Sequence, residues 1–559
     1  MTEPEFDIAI IGGGAAGCIL AARLSEDPRR RVALFEAGAD TPPDAVPADI
    51  RDPFPIAYSN PAYFWPGLTA VGLTGMPPSN YVQPRIMGGG SSVMGMWALR
   101  GMPHDYDAWR EVGATGWGWD DVLPAFNRLE HDFDFAGPQH GQNGPIPVRR
   151  NAANLWPGFA RAVLQAAERR GLPFRHDINA DFADGVFPVP VANDSNSRVS
   201  SATGYLTVEV RRRTNLKVTS HAYVTRILIK EQCAVGVEVQ CNGQNRQVYA
   251  REVILSAGGI HSPALLLRSG IGPVDDLRSI GILPCINLPG VGRGLQNHCV
   301  VNLATILTRH ARQASTLRTY GLACARVSSH AKGAPPGDLH LQIIAKTGAY
   351  AHGDRIGVIG AALYAPVSRG LVTLASADPY KLPSVDFRLL EAPFDRQRMK
   401  QIVRLALDLL KDEAVASVRG DVFAVVPSSL VRRLNRPNLA NRLMSTAMAV
   451  ILDAPASVRR MALRRVGHLI NLADEPSAEQ MDALLEFTVP VYHPTGSCTM
   501  GRANDVRAVV DPCCRVRGIG GLRVVDASIM PIIPSGNTCL PTMMVAEHAA
   551  RLIVTPSSR

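Results

Sequence analysis

The chain opens on an apolar run of strand length, Phe6-Asp-Ile-Ala-Ile-Ile11, which breaks into Gly12-Gly-Gly-Ala-Ala-Gly17 and then into a helical pattern lasting to about Ser25. Arg31-Val-Ala-Leu-Phe-Glu36 follows as a second strand, so the first 36 residues read as a βαβ unit. Strand-like text returns from Asn215 to Ser256, in Leu216-Lys-Val218, Val224 to Ile229, Val235 to Val239 and Glu252 to Ser256. Ser262-Pro263 is expected to start a helix, with proline in the first turn, where its missing N–H costs nothing. Residues 299–390 read as loops and short strands, and Pro393 to Lys411 as a long helix. This middle third lacks glycine-rich turns and reads as the substrate side. Gly521 to Asp526 is again a buried strand ending in an acid, and Pro541 to Leu552 an apolar helix, so the C-terminus is expected to re-enter the first domain. No internal repeat is seen.

Composition narrows the class. The length of 559 residues exceeds the roughly 250–300 at which single cores stop growing, which predicts two domains or three. With 46% hydrophobic and 19% charged residues, disorder and fibrous repeats are excluded. No apolar stretch reaches the length of a membrane-spanning helix. The segment Ile8 to Leu24 has an acidic flank and a glycine-broken middle, and so reads as strand, turn and helix rather than as a signal peptide. Ten scattered cysteines, without a C-x-x-C pair or zinc-ligand spacing, predict reduced thiols, a cytoplasmic location and no metal.

The net charge of +9 is local. Residues 431–466 hold eight arginines (432, 433, 436, 442, 459, 460, 464 and 465) against Asp453 alone, which argues against a general nucleic-acid-binding surface. The same segment carries Leu434, Leu439, Leu443, Met444 and the run Ala447 to Leu452. Two readings are open: a solvated basic cap over an active-site mouth, or an amphipathic helix pair lying peripherally on the inner, anionic face of the membrane.

The glycine turn carries the first chemistry. Gly12 allows the tight turn, Gly14 lets backbone approach a pyrophosphate, Gly17 lets helix pack on strand, and Glu36 is placed to accept from ribose hydroxyls. This fingerprint binds a dinucleotide without separating NAD from FAD. Three further segments decide the family: Pro84 to Met96 (with Gly-Gly-Gly-Ser-Ser at 88–92) and Arg100-Gly101; Gly258 to Gly272; and His493-Pro-Thr-Gly-Ser-Cys-Thr-Met-Gly501, followed by Val525 to Pro531 and Pro534 to Thr542. Together these resemble the glucose-methanol-choline (GMC) family of FAD-dependent oxidoreductases over almost the whole chain. Tyr63 to Leu68, the glycine-serine loop, Asp105 to Trp109 and Gly144 to Pro147 are most similar to its 5-hydroxymethylfurfural oxidase and aryl-alcohol oxidase branch.

The resemblance implies an α/β fold with an α+β cap: a discontinuous Rossmann-like FAD-binding domain (1–160, 200–298 and 488–559) and a substrate-binding cap (161–199 and 299–487). It implies cofactor contacts near the fingerprint at Ala15 and Ala37, and at Trp65. In the glycine-rich loop they fall at Met87, Gly89, Ser91, Met94, Gly95 and Met96, and beyond it at Val224, Ala257 and Gly258. Late in the chain they fall at Tyr492, Asp526, Ala527, Asn537, Thr538 and Thr542. His493 matches the family's base, and its reference pKa near 6.5 suits the task at neutral pH. Asn537 matches the position that holds the alcohol oxygen. Val93 stands where some members carry a flavin-linking histidine, so FAD is expected to be non-covalent. Met94 stands where the family usually has Asn or His; a backbone contact to flavin survives that change and a side-chain hydrogen bond does not. Cys498 and Cys539 read as buried small hydrophobes, and His261, His298 and His548 as structural or surface histidines.

The implied activity is oxidation of a small primary alcohol, aromatic or heteroaromatic, with oxygen or a quinone as acceptor. A hydroxynitrile lyase on the same fold, a membrane-associated quinone-dependent dehydrogenase and a flavin-bound protein without turnover are the alternatives. Retention of both His493 and Asn537 argues against the last.

Overall fold

The computed structural model describes residues 3–425, 434–436, 438–465 and 467–554. Arg432 and Arg433 lie outside the described residues. Strand Phe6–Ile11 runs parallel between Val32–Phe35 and the C-terminal half of Gln244–Leu255. Leu216–Thr219 extends the sheet on one side. On the other, Leu522–Val524 pairs in parallel with Val253 to Leu255, so the chain's end does return to the first sheet. The central strands are nearly all apolar because both of their faces are covered. Helices Ala15–Leu24 and Cys539–Val554 belong to the same core.

Two elements differ from the pattern reading. The strand expected from Glu252 begins at Gln244, because its polar first half pairs antiparallel with Cys233–Cys241. Asn242 and Gly243 close that hairpin, both at positive φ (52° and 76°), the backbone an Asn-Gly turn favours. The helix expected at Ser262-Pro263 starts earlier and spans Gly258–Arg268, leaving Pro263 in its interior. An interior proline leaves the carbonyl four residues back without its N–H. Here the Ser497 hydroxyl donates to that carbonyl, Gly259 O, at 2.6 Å.

The second body is built on an antiparallel sheet whose main path runs from Gly467–Ile470 through Arg419–Val425, Cys299–Leu307, Ile356–Leu363, Leu339–Ile344 and Ala323–Val327 to Gly185–Pro188. Its side chains alternate by the period of two that a pleated strand imposes. Val301, Leu303, Leu341, Ile343 and Ile359 join a core with helix Pro393–Lys411, which forms as expected. Val300, Asn302, Gln342, Ile344 and Val358 point to the opposite face and line a cavity. A smaller sheet adds Thr69–Leu73 and Ser79–Asn80 to Ser384–Leu389, so this stretch of the first 160 residues packs with strands from the middle of the chain. The fold is thus mixed α/β, with a discontinuous Rossmann-like body and a separate second body. Among the described residues, no helix is long and apolar enough to cross a membrane.

Candidate active site

One cavity of about 1170 Å³ runs from the glycine turn of the first sheet to the open face of the second. Gly12, Gly14 and Ala15 line it at the start of the first helix, whose free N–H groups suit an anion. The glycines are sterically required. A Cβ on Gly12 would lie 2.5 Å from Ser256 O, and one on Gly17 only 1.9 Å from Gly12 O, whereas Gly14 has open space toward the cavity. Gly17 itself does not reach the cavity; it brings helix onto strand. Glu36 and Ala37 line the wall. The Glu36 carboxylate accepts from the N–H groups of Gly13 and Gly38, each at 2.8 Å. Burial pushes its pKa up, and those two donors oppose the shift.

From the glycine-rich loop, Gly89, Ser91, Met94, Gly95 and Met96 face the cavity. Met87 does not: it is fully buried behind the turn, where its sulfur would lie 2.4 Å from a Cβ on Gly13. Val93 is also buried. Trp65, Val224, Ala257 and Gly258 line the cavity, with the Trp65 ring 4.4 Å from that of His261. Asp526 and Ala527 follow the last strand. Asp526 accepts from Gly258 N and Ser528 N, both at 2.8 Å, tying two segments of the wall together. Asn537, Thr538 and Thr542 also line the cavity, the first two just ahead of the C-terminal helix.

His493 and Asn537 come together, with His493 Nε2 and Asn537 Nδ2 3.3 Å apart. The Tyr364 hydroxyl donates to Asn537 Oδ1 at 3.3 Å, which turns the amide N–H groups toward His493. The His493 backbone N–H donates to Asn297 Oδ1 at 2.9 Å. Tyr492 lines the cavity at a left-handed φ of 59° and shares a hydrogen bond with Tyr58, oxygen to oxygen 2.9 Å. Burial lowers the His493 pKa to about 3, well below the 6.5 expected of a free histidine, so the ring is neutral at physiological pH.

The sequence missed His298. It is fully buried, and its Nδ1 lies 2.9 Å from His493 Nδ1. One of these two atoms must donate. If His493 keeps Nε2 free to accept a proton, its Nδ1 carries the hydrogen and His298 Nδ1 accepts. The His298 ring stacks on Tyr364 at 4.2 Å, and His340 stacks on the tyrosine's other side at 4.1 Å. His261 and His548 are buried too, so none of the three is a surface residue. A lone histidine in Gln296-Asn-His298 carries no local signal; only the fold brings it to His493.

Outside the cavity, Glu130, Asp132 and His140 converge within reach of a common ion. Arg100 pairs with Glu130, and Arg150 with Asp132 and Asp177, so cationic side chains already neutralise the group. Burial opposes charging of His140, but hydrogen bonds to Asp132, Asp177 and Glu130 raise it to about 10. The cluster is an ion-pair network that ties Glu130 to the segment around Asp177.

These features meet a known pattern. Models of the GMC oxidoreductase family match residues 6–300 and 366–546, and the chain belongs to that family. It is 39% identical to a 5-(hydroxymethyl)furfural oxidase of Methylovorus sp. (strain MP688), over 99% of this chain and all of the relative. It is 31% identical to the mitochondrial choline dehydrogenase of Homo sapiens, over 99% of this chain and 90% of that one. The crystal structure of pyridoxine 4-oxidase from Mesorbium loti superposes with a TM-score of 0.80 at 27% identity, covering 98% of this chain and 99% of that one. The protein is an FAD-dependent alcohol oxidoreductase acting on CH–OH donors.

Proposed function

We propose that the enzyme oxidises small primary alcohols with an aromatic or heteroaromatic body to aldehydes, with oxygen or a quinone as final acceptor. The observation that carries the reading is the His493–Asn537 pair on the wall of a cavity that also presents Phe54, Tyr58, Tyr320 and Tyr492, surfaces suited to a flat ring. FAD fits the residues present: open space beside Gly14, a helix N-terminus for its pyrophosphate and Glu36 for a ribose. We take it as non-covalent, with the domain division expected from the sequence and a cytoplasmic setting suited to free thiols.

When bound, the flavin accepts the hydride from the carbinol carbon. This chain's residues handle the proton. An alcohol oxygen placed between the two side chains accepts from Asn537 Nδ2–H and gives its proton to His493 Nε2, while His298 holds the opposite ring nitrogen. The low pKa of His493 is no obstacle, because an alcohol losing hydride becomes strongly acidic, and a weak base suffices once the two events are coupled. The test is anaerobic mixing with a panel of aryl, furfuryl and aliphatic primary alcohols. The flavin absorbance is expected to bleach fastest with the ring-bearing ones. An unbleached flavin with every alcohol, together with cleavage of a cyanohydrin, would favour a lyase.

A further inference from the structure

Helices Leu439–Leu452 and Ala456–Leu463 carry large apolar side chains on their outer as well as their inner faces. Their inner faces are spent on the fold: Met448, Leu452 and Leu463 line the active-site cavity, while Asn441, Ser445 and Ala449 are buried. The outer face of the first helix repeats at Leu439, Leu443 and Val450, which are 72%, 64% and 68% exposed, and the second adds Met461 at 67%. A row of large apolar side chains left exposed on a helix is the mark of a contact surface. Among the described residues nothing covers this one.

Among the described residues, the charges that these helices leave without a partner are of one sign. Asp453, at the end of the first helix, is held by Arg312 and Arg355. Asp421 takes up both Arg459 and Arg460, which therefore fasten the second helix to the sheet. Arg442, Arg464 and Arg465 are exposed, and no described residue pairs with them. The surface thus presents arginines without an ion-pair partner among the described residues, set among exposed leucine, valine and methionine, with no acid within either helix. That combination matches a lipid headgroup region, which offers anionic groups at the depth of the guanidinium groups and acyl chains just beneath for the apolar side chains.

We infer that the outer faces of these two helices dock the enzyme on an anionic lipid bilayer. Docking sets the wall of the active-site cavity against the membrane, so that an apolar alcohol or a quinone dissolved in lipid has a short path to His493. The inference stands apart from the reaction assigned above, because binding is read without turnover.

The test is co-sedimentation of the holoenzyme with phosphatidylcholine vesicles, with and without phosphatidylglycerol, at low and high salt. Wild type is expected to sediment with the anionic vesicles at low salt and to be released by salt. Arg442→Gln/Arg464→Gln/Arg465→Gln should lose partitioning by on the order of a hundredfold. Leu439→Ser/Leu443→Ser/Met461→Ser should also detach, and both variants should keep flavin reduction by alcohol, which shows that they fold. Equal sedimentation with neutral and anionic vesicles, or none with either, overturns the inference. So does a dimer in sedimentation equilibrium that the leucine variant dissociates, since the face would then be an interface between two copies of this chain.

Discussion

At the residue scale, the part proposed for His493 depends on what surrounds it. His493 is pushed down to about 3 by burial, His261 likewise to about 3 and His548 to about 4. For each, the unfolded chain binds a proton between pH 6.5 and the depressed value that the folded chain refuses. Their contribution to stability is intact above 6.5 and erodes as the pH falls below it. His140 has the opposite sign: its contribution is full below 6.5 and is lost as the pH rises through about 10. Catalysis should follow the first group, with flavin reduction holding its rate through pH 6.5. His298 should act on that profile as a positioning residue. His298→Gln keeps an acceptor for His493 Nδ1–H and is expected to retain most of the rate. His298→Leu, of similar bulk but without an acceptor, should reduce flavin about tenfold more slowly, the scale of one lost hydrogen bond of about 1.4 kcal/mol. Equal rates in the two variants, at every pH, would leave His298 a packing residue only.

At the element scale, the helix Gly258–Arg268 depends on a single hydroxyl from another segment. Ser497→Ala would leave the Gly259 carbonyl without a partner in a buried setting, which costs about 1–3 kcal/mol. Urea denaturation should show the midpoint falling by that measure, and an unchanged midpoint would mean the proline is accommodated some other way. The same helix shows what a linear pattern carries and what it does not. Proline preference placed the start at Ser262-Pro263, because a first-turn proline is the local optimum; the compensating donor lies more than two hundred residues away and has no local trace. The hairpin at Asn242-Gly243 was not among the expectations, although an Asn-Gly dipeptide favours one, because the first four residues of its second strand, Gln244 to Gln247, are polar and exposed and so escaped a reading that looks for apolar runs. Where burial on both faces enforces a continuous apolar run, as in Phe6–Ile11, or one face enforces a helical stripe, as in Pro393–Lys411, pattern and structure agree.

For the whole molecule, the cavity exists because two bodies face each other, and each gives it a different character. The first contributes backbone: glycine turns and helix N-termini that hold a dinucleotide. The second contributes one face of an antiparallel sheet, on which Val300, Ile344, Ile356 and Val358, with the polar Asn302 and Gln342 among them, line the cavity. The first half of the site was readable, since G-x-G-x-x-G and the late His and Asn segments sit in short motifs. The second was not, because period-two strands in a loop-rich stretch show neither which face is buried nor what it faces. Nor did the concentration of arginines in residues 431–466 reveal that Arg459 and Arg460 are internal partners of Asp421, while Arg442, Arg464 and Arg465 have no ion-pair partner among the described residues.

The central claim is that His493 takes the alcohol proton while hydride leaves the same carbon. It is tested most directly by the rate of anaerobic flavin reduction with a ring-bearing primary alcohol in wild type and in His493→Ala. The variant is expected to bind flavin as the wild type does and to be reduced more slowly by about a hundredfold or more, the scale of general-base removal. Reduction of His493→Ala at a rate near that of the wild type would contradict the account.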